Sequence, residues 1–159
     1  MKLSAKADYA IRAAVELAAA EPNAVKGETV ARAQEIPHAF LENIFADLVR
    51  AGLVRSQRGA QGGYRLARPA HEITVADVMR IELGHLVEIH GERPEDLDYL
   101  GPSAALREVW VAARASMRTV LEAVTLADVA AGELPPAVTD LLRSSDAWQA
   151  GYWSPTAGS

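Results

Sequence analysis

The strongest constraint on the fold is a glycine-rich stretch, residues 58–63, that lies between two short segments of alternating polar and apolar residues. These segments, residues 53–57 and 64–68, have the two-residue period of half-buried β-strands. Glycine adopts the backbone conformations that tight turns require, so the stretch suits the tip of a hairpin. Four arginines fall between residues 53 and 68, and the sequence therefore predicts a basic β-hairpin.

Three helical segments precede this hairpin. Ser4 can cap the first, in which apolar residues recur with helical spacing from Tyr9 to Ala18. The second, residues 29–34, is short, and the third, about residues 38–51, has an apolar face and stops at Gly52. Three helices followed by a basic hairpin are typical of a winged helix-turn-helix. We therefore predict a mainly α fold with a DNA-binding domain over residues 1–70.

The second half of the chain is predicted to contain a short helix, a loop and then a long helix. Thr74 can cap a short helix over residues 75–82, and residues 84–102 are acidic and rich in helix breakers, which predicts a loop. From Ser103 onward, apolar residues recur at steps of four and three, the heptad spacing of helices that pack along one another. The predicted dimerisation residues are Leu106, Trp110, Ala113, Met117, Val120 and Val124.

Two further regions complete the predicted organisation. Residues 71–142 are expected to hold the linker loop and the dimerisation helices. Residues 143–159 are rich in Ser, Gly and Pro, and are predicted to form a flexible tail. Its aromatic residues, Trp148, Tyr152 and Trp153, can pack on a partner subunit or cover a small-molecule pocket.

Charge is divided unevenly along the chain, although the net charge is -5. Residues 1–70 carry ten Lys and Arg against seven Asp and Glu, a balance of +3, whereas residues 71–159 carry six against fourteen, a balance of -8. Electrostatic attraction acts locally, so the basic first half remains suited to DNA. No apolar run is long enough to cross a bilayer and the start of the chain does not resemble a signal peptide, so a cytoplasmic protein without membrane contact is expected.

Several stretches of the chain carry a family resemblance. They are MKLSAKADYA, FLENIFADLVRAGLVRSQRG, GGYRLARP, ITVADV, LREVW and VTLADV. In this order and spacing, over roughly residues 1–131, they resemble the Rrf2 family of bacterial transcription regulators. The resemblance implies a homodimeric repressor that places each third helix in a major groove, and each wing in or beside a minor groove, of a palindromic operator.

The resemblance also implies DNA-binding residues. Glu42 stands where the family has a base-reading glutamate, and its carboxylate can accept a hydrogen bond from cytosine N4; the alternative is a solvated surface charge. Asn43 follows, where glutamine is more common, and can bind adenine or a phosphate. Arg58 matches the family's minor-groove arginine, beside wing-tip residues Gly59 and Gln61, where the usual RGPGGGY pattern is altered. The phosphate-contact candidates are Lys2, Ser4, Lys6, Arg50, Arg55 and Arg65.

The signal that this chain senses is less clear from the sequence. Many Rrf2 regulators bind an iron–sulfur cluster through three cysteines in the loop before the long helix, but this chain contains no cysteine. Such clusters require thiolates, so no iron–sulfur cofactor is expected. Among the carboxylates and histidines of the loop, His85 and His90 are metal-ligand candidates, although acidic loops are usually only solvated. A small-molecule or protein effector is the other interpretation.

Two rival functions fit the sequence less well. A winged helix used only for protein interaction would not need a basic wing. An enzyme would need a nucleophile and base, a paired-carboxylate setting or a phosphate loop, and the sequence places none of these on a defined scaffold. We therefore expect a DNA-binding regulator that is not an enzyme.

Overall fold

The computed structural model describes residues 3–84 and 88–149 and confirms a mainly α fold with a small wing. The helices are α1 (Ala5–Ala19), α2 (Gly27–Gln34), α3 (His38–Arg50), α4 (Val75–Leu83), α5 (Leu106–Ala123), α6 (Leu126–Ala131) and α7 (Pro136–Leu142). Strands β1 (Val54–Gln57) and β2 (Gly63–Leu66) form one antiparallel hairpin. Within the described ranges, no helix combines the length and apolar character needed to cross a membrane.

The helix boundaries follow local capping chemistry. The Ser4 hydroxyl accepts a hydrogen bond from the Ala7 N–H at 3.0 Å, which confirms the predicted cap of α1. Helix α2 begins two residues before its predicted start because the Lys26 carbonyl already accepts from the N–H groups of Thr29 and Val30. Gly52 adopts a φ of 74° just after α3, which is the left-handed stop that the sequence predicted.

The hydrophobic core extends across the predicted boundary at residue 70. Phe45 and its apolar neighbours on α1 and α3 are buried, and the same core includes Ile73, Val78 and Leu126. Val78 lies on α4 and Leu126 on α6, two helices that pack against α1, and Ile73 lies just before α4. The winged helix therefore shares one core with part of the region that the sequence assigned to linker and dimerisation elements.

The starts of α4 and α6 are joined to each other. Each begins with a capping box, in which Thr74 pairs with Asp77 and Thr125 pairs with Asp128. The Val75 N–H donates to the Val124 carbonyl, and the Leu126 N–H donates to the Ile73 carbonyl, both at 2.9 Å. These bonds attach the end of α5 to the winged helix.

A third backbone segment, at Val25, pairs with strand β2 of the wing, and the sequence did not predict this pairing. Val25 pairs with Tyr64 through two backbone hydrogen bonds, from Tyr64 N–H to Val25 O at 2.7 Å and from Val25 N–H to Tyr64 O at 2.8 Å. The neighbouring Gly63 has a φ of 145°, and a Cβ added there would lie 2.3 Å from the Val25 carbonyl oxygen. Gly63 is therefore required by this close approach of two backbones.

Replacing Gly63 by alanine should lower the free energy of unfolding by about 3–4 kcal/mol, since backbone strain and overpacking each cost roughly 1–3 kcal/mol. Gly59→Ala is the matched control, because Gly59 also has a positive φ but nothing lies within 4 Å of its added Cβ. Strain alone should cost that variant about 1–2 kcal/mol. Urea unfolding of both variants measures the difference, and equal losses would refute a steric role for the contact with Val25.

The loop and the C-terminal region are more ordered than their composition suggested. Two short 3-10 turns, Pro94–Asp96 and Gly101–Ser103, interrupt the loop, and Pro94 is buried where the first turn packs on α5. A further turn, Ser145–Trp148, follows α7, and the Trp148 indole N–H donates to the Leu142 carbonyl at 3.1 Å. The predicted flexible tail is thus structured as far as residue 149. Tyr152 and Trp153 lie outside the described residues.

Candidate nucleic-acid interface

The exposed face of α3 carries the two predicted base-reading residues, Glu42 and Asn43. The Glu42 carboxylate lies 3.3 Å from the imidazole Nε2 of His38, one turn earlier on the same helix. It also lies over the buried start of α2, where a Cβ added to Gly27 would come within 3.1 Å of Glu42 Oε1. The Asn43 amide donates to the Ala39 carbonyl at 3.3 Å. Both polar groups therefore stand at the surface, held by their own helix.

The fold brings Glu42 next to the wing. A groove of about 380 Å³ separates the start of α3 from the hairpin. Its lining residues are Lys26, Gly27, Glu28, His38, Glu42, Gln57, Gly59, Gly62 and Gly63. Helix α3 and the wing tip, which the sequence identified separately, thus form one continuous surface.

An aromatic stack fixes the wing against α3. The rings of Tyr64 and Phe45 lie 4.0 Å apart between centroids, at 8° to each other. Burial, together with the nearby charge of Glu42, raises the pKa of the Tyr64 hydroxyl above its ordinary value. Tyr64 therefore remains neutral and acts as a packing residue rather than as a charge in the groove.

Ion pairing separates the basic residues into two groups. Nine of the described Lys and Arg side chains lie within 4.0 Å of a carboxylate, on α1, α3, α4 and α5, in the loop before α5, and just after α7. In the described part of the chain, the cations without such a partner are Lys26, Arg32, Arg55, Arg58, Arg65 and Arg68. Lys26 directly precedes α2 and Arg32 lies on α2. The other four lie on the wing or, in the case of Arg68, just after strand β2. The unpaired positive charge is therefore concentrated on the wing and around α2, and Lys26 lines the groove that contains Glu42.

Two predicted phosphate contacts are compensated within the chain. Lys6 Nζ lies 2.8 Å from Asp47 Oδ2 and 3.0 Å from Glu82 Oε2, and Arg50 Nη1 lies 2.7 Å from Asp47 Oδ1. Hydrogen bonding to Asp47 is the main cause that raises the pKa of Lys6, and the same bond lowers the pKa of Asp47. A phosphate would have to compete with these carboxylates.

The other predicted DNA-contact residues lie at the wing tip and at the start of the chain. Arg58 and Gln61 are exposed at the wing tip, where the Gly62 N–H donates to the Gly59 carbonyl at 2.9 Å and closes the turn. Ser4 serves as the cap of α1, and Lys2 lies outside the described residues. Sequence reasoning missed Lys26, Arg32 and Arg68, because only the folded structure shows which cations lack a carboxylate neighbour.

The predicted dimerisation stripe is divided in the structure. Val124 lies just after α5 and is only 7% exposed, in the chain's own core, which leaves little of it for a partner. Trp110, Met117 and Val120 are half-buried, and the Trp110 indole N–H donates to the Tyr99 hydroxyl at 3.0 Å. Leu106 and Ala113 are exposed, as expected of contact residues.

The apolar surface of α5 is displaced from the predicted stripe toward Val109, which is 52% exposed. Ala112, Ala113 and Ser116 continue this face over the next two turns and are exposed. The Ser116 hydroxyl donates to the Ala112 carbonyl at 3.1 Å, so its polar group is satisfied within the helix. No residue of α5 is buried within the single chain.

Ion pairs engage two carboxylates of the loop before α5. Glu95 pairs with Arg114 of α5, and Asp96 lies 2.7 Å from Arg93. His90 is exposed, and His85 lies outside the described residues. Over residues 3–84 and 88–149, no three His, Asp or Glu side chains are grouped so that they could hold a metal ion.

Comparisons with known proteins agree with this geometry. The family model described as "Rrf2: Iron-dependent Transcriptional regulator" matches residues 3–132. The putative HTH-type transcriptional regulator Rv1287 of Mycobacterium tuberculosis is 53% identical over 142 residues, which cover 89% of this chain and 88% of that protein.

Two solved structures share the fold. The first is CymR (YrzC), the global cysteine regulator of B. subtilis, with 32% identity and a TM-score of 0.70 over 83% of this chain and 98% of that one. The second is IscR of T. potens, with 34% identity and a TM-score of 0.68 over 83% of this chain and 88% of that one.

The donor set of this chain does not fit a cysteine-ligated iron centre, although the family description mentions iron. The sequence contains no cysteine and therefore no thiolate ligand. In the loop, the carboxylates of Glu95 and Asp96 are paired with Arg114 and Arg93. The match over most of the chain, the shared fold and the α3–wing surface nevertheless lead to one assignment. The chain belongs to the Rrf2 family of DNA-binding transcriptional regulators and is not an enzyme.

Proposed function

We propose that this protein is a repressor that binds a palindromic operator as a homodimer. The observation that supports this proposal is the meeting of α3's exposed polar face with a wing whose cations lack carboxylate partners. Helix α3 enters the major groove, where Glu42 accepts a hydrogen bond from cytosine N4 and Asn43 contacts an adjacent base or phosphate. Arg58 enters a minor groove, whose negative potential attracts a guanidinium.

The exposed face of α5 supports the proposed dimer. A long amphipathic helix with no buried residue leaves Leu106 and Val109 in water, and pairing with the same face of a second copy removes them from it. A twofold axis between the two copies then presents two α3 helices to successive major grooves. The half-sites are expected about 34–36 Å apart, or one helical turn of DNA.

Selection of bound sequences from random duplexes by the purified protein tests this proposal. We expect an inverted repeat with half-site centres about 10 base pairs apart, and two subunits per duplex in sedimentation. A single asymmetric site that binds one subunit would contradict the dimer. In a reporter whose promoter overlaps the selected operator, the protein should lower transcription, and increased transcription would contradict repression.

We propose further that the regulatory signal is a small molecule or a protein partner rather than an iron–sulfur cluster. The absence of cysteine supports this proposal. Two contacts hold the loop on α5, the Glu95–Arg114 ion pair and the Tyr99–Trp110 hydrogen bond.

Treatment with an iron chelator should leave operator affinity unchanged within about twofold, or about 0.4 kcal/mol. The reason is that none of the proposed DNA contacts depends on a metal. Fluorescence anisotropy before and after chelation measures the affinity. A visible iron–sulfur absorbance after anaerobic reconstitution, or operator binding that is lost with the chelator, would contradict the proposal.

A further inference from the structure

The base of the wing holds an arginine cluster beyond the groove that contains Glu42. Arg55 and Arg65 stand directly opposite each other in the antiparallel register of β1 and β2. Arg68 joins them in an open cleft of about 520 Å³, which Pro22 and Pro69 also line. Three guanidinium groups thus share one surface concavity.

The three arginines of this cluster outnumber the carboxylates that line the cleft. Among the described residues, Glu21 is the one acidic residue that lines the cleft, and both of its carboxylate oxygens accept from the Ala70 N–H, at 3.2 and 3.3 Å. Across the described residues, no carboxylate lies within 4.0 Å of the three guanidiniums. Like charges placed directly opposite destabilise a hairpin, and an anion bound between them would remove that repulsion.

The cluster continues the proposed DNA surface. Residues two apart on a strand share a face, so Arg55 and Arg65 project from the same side of the hairpin as Gln57 and Gly63. Gln57 and Gly63 line the groove beside Glu42. Two residues of strand span about 7 Å. The cluster therefore lies about 7 Å along the hairpin from the residues that line the groove.

We propose that this cleft binds backbone phosphates of the DNA immediately outside the operator. Guanidinium groups bind phosphate oxygens in a bidentate manner, and three of them supply two or three ionic contacts in each subunit. These contacts carry no base information, and they lengthen the stretch of DNA that the protein covers. The inference rests on the DNA-bound dimer proposed above.

A duplex-length experiment tests the inference. One duplex ends at the outermost selected base pair, and the other carries about ten more base pairs at each end, one helical turn. Wild type is compared with R55Q/R65Q/R68Q, with R65Q, and with the control R143Q, whose guanidinium pairs with Asp140 on α7. Anisotropy titrations over a range of salt concentrations give the affinity and its salt dependence.

Wild type should bind the long duplex more tightly and with a steeper salt dependence than the short one. In the triple variant this difference should vanish, and the log–log slope on the long duplex should fall by about 0.9 for each phosphate that the protein no longer neutralises. R65Q should be intermediate and R143Q unchanged. A triple variant that keeps the length advantage, or that loses affinity equally on both duplexes, would overturn the inference.

Two controls distinguish DNA binding from free-anion binding and from misfolding. Inorganic phosphate, titrated without DNA, identifies a free-anion site if it binds saturably to wild type alone while duplex length has no effect, and that outcome would overturn the DNA assignment. Urea unfolding tests whether the triple variant folds, and R65Q, which retains two arginines, supplies the test if it does not. Failure of wild type to select any operator would instead refute the proposed function.

Discussion

Val109→Glu is expected to convert the protein to a monomer and to weaken operator binding by at least about 100-fold, near 3 kcal/mol. Val109 is 52% exposed on the apolar face of α5, and a twofold axis that passes near it would bring the two new carboxylates close together. Like charges placed together at an interface cost several kcal/mol. A monomer also binds only one half-site at a time, so the loss extends to DNA.

Ala115→Glu is the matched control for this variant. Ala115 is exposed on the same helix, about 120° from Val109 around the axis, so it receives the same charge away from the proposed interface. Sedimentation velocity measures the oligomeric state, and anisotropy measures operator affinity. Dimers that persist in Val109→Glu would show that another surface joins the subunits, whereas monomers in both variants would indicate a nonspecific effect of charge on α5.

Glu42→Ala is expected to reduce discrimination at one base pair of each half-site by tenfold or more, within the roughly 1–3 kcal/mol that a good base contact contributes. Removing a carboxylate from the DNA surface also reduces repulsion of phosphates, so binding to unrelated DNA should become tighter. The expected signature is thus a loss of specificity together with a gain in general affinity.

Glu28→Ala separates these two effects. Glu28 lines the same groove from α2 and has the same charge, but it does not lie on α3, the helix proposed to enter the major groove. Its substitution should increase general affinity while the base preference stays as in wild type. Competition titrations against operators altered at each position measure both quantities. An unchanged base preference in Glu42→Ala would mean that Glu42 is a solvated surface charge.

Much of the fold could be predicted because its signals are local. The helical period of α1 and α3, the cap at Ser4 and the glycines of the wing all act within a few residues of the chain. Likewise, the absence of cysteine is complete in the sequence and rules out thiolate ligands without any coordinates. The order of three helices and a basic hairpin was sufficient to predict a winged helix.

Other features depended on contacts between distant segments. The sequence places Lys6 and Arg58 in the same class of exposed cations, but folding brings Asp47 and Glu82 to Lys6 and brings no described carboxylate to Arg58. In the same way, the heptad pattern could not show that Val124 turns into the chain's own core while Val109 stays exposed. Periodicity defines which residues share a face, whereas only the packed neighbours decide whether that face is already covered.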